Sequence, residues 1–336
     1  MRDIIGRIPF WFDSEDNSTA LYSSARISRN FKTFSFPSAP EYKNTTRIQK
    51  KVENILKEPL DSGEIVKCDI SRADNSKISW MQKFRILPVK EKDLLKRTSI
   101  YYHTGFRSFL LTNYLDHLTF FSHRSAKKVS AAYTDCKKFL EMFDDSIMLK
   151  DGSGNYQTSS IDYFGTGLKL FCVLTLPVLR IMNIFEPVVG SLGVNSLLTS
   201  RYFGVGKNDM IVISNKDSFT KKPAGIVRFF NRILKELDLT VKKNTKKEPQ
   251  QSEVIRKRSL ELINSRYLTF SEFIDIYYML SFLGHSGACP ISISDLNREL
   301  AQMILNSPKG VSAASLKRIL TEEFKVKMIK LLTEER

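Results

Sequence analysis

Glycine supplies only 15 of the 336 residues, while apolar side chains return in long periodic stretches. A chain so poor in the residue that makes tight turns is expected to favour helices over a turn-rich β fold. The expected class is therefore mainly α with a few short β-strands, a minor α+β character, and two helical lobes around a basic groove. With 42% hydrophobic and 11% aromatic residues the chain can build a real core.

Punctuation along the sequence sets the expected elements. Residues 1–40 read as extended or irregular, ending at Pro37 and Pro40. Thr45 to about Lys57 reads as a helix, with Ile48, Val52, Ile55 and Leu56 on one face. Glu64 to Ile70 reads as a short strand, and Lys90 to Lys96 as a short helix. Ser99 to Phe121, dense in aromatics and leucines, is assigned to a helical block in the core, and Ala126 to Phe143 to an amphipathic helix. The apolar run Leu170–Leu179 is too short to span a bilayer and reads as a buried core helix kinked or ended near Pro177. Met210–Ser214 suits a strand, and Pro223 opens a helix at the position that tolerates proline. Thr269 with Glu272 three residues on forms a capping-box signature. The resulting division is 1–150 as an N-terminal α+β lobe, 151–241 as a central apolar helical region, 242–251 as a basic linker or loop, and 252–336 as a C-terminal helical lobe.

Charge bounds the partner. Lys and Arg outnumber Asp and Glu by 52 to 36, a net +16. That excess points to nucleic acid or an anionic membrane surface. The four cysteines (Cys68, Cys136, Cys172 and Cys289) form no CxxC pair and read as free thiols of a reducing compartment. The first residues carry no secretory pattern, so a cytoplasmic location is expected.

Chemical motifs are incomplete. Gly204-Val205-Gly206-Lys207 resembles a phosphate loop, but the required earlier glycine is Arg201 and the following Ser or Thr is Asn208. No HExxH is present among the four histidines, and the calcium-loop pattern starting at Asp151 fails where glycine should stand, at Tyr156. Arg29 to Phe36 interleaves basic and aromatic residues as the aromatic strand of an RNA-recognition motif does, but its small positions are Asn30 and Lys32. Ser294 to Phe324 has the outline of a helix-turn-helix, with Ser312 as a cap and Ser315, Lys317 and Arg318 on the first turn of the second helix.

Together these readings favour a non-enzymatic nucleic-acid-binding protein, of coating, packaging or replication-accessory type, holding RNA or DNA by its phosphates. The candidate contacts are Arg26, Arg29, Lys32, Lys50, Lys51, Arg124, Lys127, Lys128, Lys221, Lys222, Lys317 and Arg318, with Phe31 and Phe34 for base stacking. No catalytic residue, metal or cofactor is assigned. Two alternatives stay open: a basic structural protein assembling on an anionic membrane surface or in a larger complex, homo-oligomeric or otherwise, and a nucleic-acid-processing enzyme with an unrecognised carboxylate site.

Overall fold

The computed structural model describes residues 7, 9–12, 19–39, 42–87, 95–105, 107–194, 197–202, 210–216, 218–219, 222–245, 249–264, 269–306 and 322–333. Its centre is one sheet of eight strands: β1 (Ala20–Arg29), β2 (Ile65–Asp69), β3 (Ser99–His103), β4 (Ser108–Thr112), β5 (Leu118–Ser125), β6 (Leu168–Leu174), β7 (Leu197–Arg201) and β8 (Ile211–Asn215). Their order is β2-β3-β4-β5-β1-β6-β8-β7, and every pair is antiparallel. The helices are α1 (Thr45–Ile55), α2 (Lys57–Asp61), α3 (Asn75–Lys83), α4 (Val129–Leu140), α5 (Pro177–Ile181), α6 (Phe185–Val194), α7 (Pro223–Thr245), α8 (Pro249–Ile263), α9 (Phe270–Ser286), α10 (Ile293–Asn306) and α11 (Glu322–Thr333).

The mainly helical expectation is wrong, and the reason is burial. All five residues of β3 and all five of β4 are buried, as are the first six of β5. Strands covered on both faces lose the alternation of apolar and polar residues and read as continuous apolar runs, which periodicity alone does not separate from core helix. So Ser99–Phe121 is three strands rather than a helical block, and the run from Leu168 is β6 (Leu168–Leu174). Pro177, read as the kink or end of a core helix, instead opens the short α5 that follows the strand.

Elements with one wet face follow their sequence. Helix α1 buries Ile48 and Val52 and leaves its lysines outside. Helix α4 buries Val129, Ala132, Cys136 and Phe139 against β1 and β5, and Cys136 Sγ donates to the Ala25 carbonyl. The capping box of α9 forms with both of its bonds: the Glu272 N–H donates to Thr269 Oγ1, and the Thr269 N–H donates to the Glu272 carboxylate. Helix α7 runs to Thr245 and α8 starts at Pro249. The hairpin turn read between Ser294 and Phe324, with Ser312, Ser315, Lys317 and Arg318, lies outside the described residues. All four cysteines are free thiols, three of them buried. Among the described residues no helix is long and apolar enough to cross a membrane.

Candidate anion site on the sheet face

Alternation along β1 divides its side chains between two layers. Ser23, Ala25 and Ile27 face α4, whereas Tyr22, Ser24 and Arg26 face the opposite side. Register then fixes their neighbours: Ser24 stands between His123 on β5 and Phe171 on β6, and Arg26 between Phe121 and Lys169. The end of α3 contributes Arg85, and the end of β7 contributes Ser200, Arg201 and the adjoining Tyr202. Together they enclose a cavity of about 200 Å³.

Two guanidinium groups are fixed in it. Arg26 lies 5.2 Å from the centre of the Phe171 ring and 5.8 Å from that of Phe121, with Nη2 donating to the Arg85 carbonyl at 3.4 Å. Arg85 stacks at 5.1 Å on Tyr202 and donates to the Tyr202 carbonyl at 2.5 Å. Tyr202 is held in turn by the Tyr22 hydroxyl, which donates to its own at 3.1 Å. Arg85 adopts a φ of 61°, a conformation that costs a residue with a Cβ roughly 1–2 kcal/mol, so its orientation is imposed by the surrounding packing. Neither Arg26 nor Arg85 has a carboxylate partner among the described residues, and no described residue lining the cavity is acidic.

The floor is polar and unsatisfied. Ser24 Oγ, Arg26 Nε and both ring nitrogens of His123 are buried without a hydrogen-bond partner among the described residues. His123 is packed against Trp11 at 4.8 Å and against Tyr22 and Phe121 at 5.5 Å. Burial, and secondarily the Arg26 charge, lowers its pKa to about 3, so the ring is neutral near pH 7. Buried polar atoms are normally bonded. Cations without counter-charges beside such atoms make a site whose chemistry is to receive an oxyanion.

The other basic residues named from the sequence do not join this cavity. Arg29 is buried on the opposite layer, stacked on Tyr156. Arg124 is paired with Asp135 at 2.6 Å, and Lys127 with Asp238. Lys50 and Lys51 sit on α1 with Phe34 beneath them, and Lys51 lies 4.6 Å from the centre of the Phe31 ring. Phe31 itself is fully buried and stacked on His117 at 5.9 Å, so it offers no face to a base, and Phe34 packs edge-on against Phe31 at 6.2 Å. Lys32 lies in the turn after β1, Lys128 precedes α4 and Lys222 precedes α7, while Lys221, Lys317 and Arg318 lie outside the described residues. A groove between two helical lobes, gathering these cations, is not what the fold builds. Sequence reasoning named Arg26 for another partner and passed over Ser24, Arg85, His123, Arg201 and Tyr202. The one local signal was the alternation Tyr22, Ser24, Arg26, which places an arginine on a sheet face.

No known protein family matches the sequence, and no curated protein matches it. The fold has known counterparts. A crystal structure of lombricine kinase superposes with a TM-score of 0.55 at 17% identity, over 68% of each chain. The duplicated taurocyamine kinase of Schistosoma mansoni with bound transition-state-analogue components gives 0.57 at 14% identity, covering 76% of this chain and 39% of that one. Its substrate-free form gives 0.54 at 14%, covering 79% and 40%. This chain thus spans about two-fifths of the duplicated enzyme. The likeness overturns the mainly helical class, and the solved structures that share the fold are kinases rather than non-enzymatic nucleic-acid binders. The eight-stranded antiparallel sheet and its flanking helices share the fold of these lombricine and taurocyamine kinase structures.

Proposed function

We propose that this protein is a phosphoryl-transfer enzyme of the guanidino-kinase kind, and that the cavity bounded by Arg26, Arg85 and Arg201 receives the phosphates of a nucleoside triphosphate. The observation that carries the reading is the pair of guanidinium groups, Arg26 and Arg85, with no carboxylate partner among the described residues, beside Ser24, Arg26 and His123 atoms that have no hydrogen-bond partner among them, in a single cavity. Its support is the shared fold with lombricine and taurocyamine kinases.

The chemistry asked of such a site is electrostatic. Phosphoryl transfer needs the donor and acceptor held in line and the charge on the phosphoryl oxygens neutralised, with little covalent participation by the protein. Arginine suits this, because its planar fork gives paired N–H donors to oxygen atoms and stays charged at working pH. Arg26, clamped between aromatic rings, and Arg85, fixed on Tyr202, are already oriented before a ligand arrives, which lowers the entropic cost of binding. Neutral His123 and Ser24 offer hydrogen bonds at the floor without adding charge.

The test is transfer of radiolabelled γ-phosphate from MgATP to taurocyamine, lombricine and free or peptidyl arginine. Acid-labile phosphoguanidine product, lost in an Arg26→Met variant that keeps the wild-type melting temperature, supports the reading. No labelled guanidine from any acceptor, with properly folded protein, rejects it.

A further inference from the structure

A second cavity, of about 400 Å³, lies on the other layer of the sheet, between β1, β6, α4 and the loop that follows α4. Its walls are largely apolar, with Ile27, Leu140, Phe143, Met148 and Leu168 facing it. Arg29 also lines it. That side chain is only 5% exposed and lies flat on Tyr156, 3.4 Å from the ring centre. Nη1 donates to the Ser28 and Thr166 carbonyls at 2.7 and 3.0 Å, whereas Nε has no hydrogen-bond partner among the described residues.

Burying an arginine without a directly paired carboxylate is costly, and this one has none at ion-pair distance among the described residues, Asp145 acting on it only from farther off. The two acids on the cavity wall are already engaged. Asp145 accepts from the Tyr156 hydroxyl at 2.5 Å and pairs with Lys150, and Glu141 pairs with Lys137 at 3.1 Å. The backbone is shaped around the cation as well. Gly167, at φ +68°, passes so close that a Cβ there would meet Arg29 Nη1 and stand 2.6 Å from the Ser28 carbonyl oxygen. A cavity of this size, mostly apolar with one fixed and buried guanidinium on its wall, has the form of a small-molecule site.

We propose that this cavity binds a small organic monoanion, a carboxylate on an apolar body, with the carboxylate against Arg29 and the body among Ile27, Leu140, Phe143 and Met148. One cation balances one negative charge, whereas a phosphate carries nearly two and asks for more donors than this wall has free. The site is separated from the arginine cavity by the sheet itself, and the proposal does not depend on the kinase reading.

The experiment uses hexanoate and its neutral isostere hexanamide as probes, titrated calorimetrically into the full chain. Hexanoate is expected to bind in the millimolar range and at least about 10-fold more tightly than hexanamide, the difference a single charge-assisted contact supplies. Leu140 is half-buried, so Leu140→Trp fills the cavity and should abolish hexanoate binding with the melting temperature retained. In Arg29→Met, which keeps the stem and removes the charge, the two probes should bind alike. Equal affinities in the wild type, no hexanoate binding, or undiminished binding to Leu140→Trp would each overturn the proposal. If either variant unfolds, the ratio of the two probes on the wild type still decides.

Discussion

Replacing Gly167 by alanine tests how the sheet accommodates a buried cation. The residue has a φ of +68°, and the new methyl group would stand 2.6 Å from the Ser28 carbonyl oxygen, in addition to meeting the Arg29 guanidinium. The left-handed conformation alone costs an alanine roughly 1–2 kcal/mol. Displacing Arg29 Nη1 from the Ser28 or Thr166 carbonyl removes a hydrogen bond to a charged donor, about 1.5–3 kcal/mol. Against these, alanine lowers the entropy of the unfolded chain and returns about 0.4–1 kcal/mol. The net expectation is a loss of roughly 2–4 kcal/mol, or a fall in melting temperature of about 3–6 °C for a chain of this size. Urea unfolding followed by the fluorescence of buried Trp11 and Trp80 measures it. Gly152→Ala is the control: a Cβ there meets nothing within 4 Å, and a change of no more than about 0.5 kcal/mol is expected. If Gly167→Ala proves as stable as the control, the close approach between β6 and Arg29 does not hold the fold as described.

Three further changes follow from the same geometry. Asp135→Ala strands the half-buried Arg124 and leaves Ser122 only the longer bond to the Arg107 carbonyl, which should cost about 2 kcal/mol in urea unfolding; a loss under about 0.5 kcal/mol would show the pair to be idle. Thr269→Ala removes the cap of α9 and should cost about 1 kcal/mol, with Thr269→Ser close to wild type. Burial lowers the pKa of His117 to about 4 and of His123 to about 3, against roughly 6.5 when unfolded. Depressed values mean that the fold favours the neutral rings, so their contribution is complete above pH 6.5 and is lost as pH falls toward 4. The urea midpoint should therefore drop steadily between pH 7 and pH 4.5, and a flat profile across that range would count against the assignment.

The helices that showed in the sequence are those with one wet face. Ile48 and Val52 on α1, and Ala132, Cys136 and Phe139 on α4, recur at helical spacing because the intervening positions meet water. The Thr269–Glu272 cap was legible because it is wholly local. Strands β3 to β6 were not, since residues such as Tyr101 and Phe109 are buried on opposite sides of the same sheet and leave no alternation. The meaning of the charge was hidden for a different reason. Pairs such as Arg124 with Asp135 and Lys127 with Asp238 join elements that only folding brings together, so counting cations along the chain overstates those left free. The arginine cavity depends on the same long-range assembly: Arg26, Arg85 and Arg201 come from a central strand, the end of a helix and an edge strand. No spacing rule connects them.

Calorimetric titration of MgATP into the wild type and into Arg26→Met and Arg85→Met, all at one salt concentration, bears most directly on the site. One ATP should bind per chain, and each substitution should weaken it roughly 10- to 100-fold, as expected for removing a charge-assisted contact of about 1.5–3 kcal/mol, with melting temperatures unchanged in the absence of nucleotide. Unaltered ATP affinity in both folded variants would place nucleotide elsewhere and leave the sheet-face arginines without the role assigned to them.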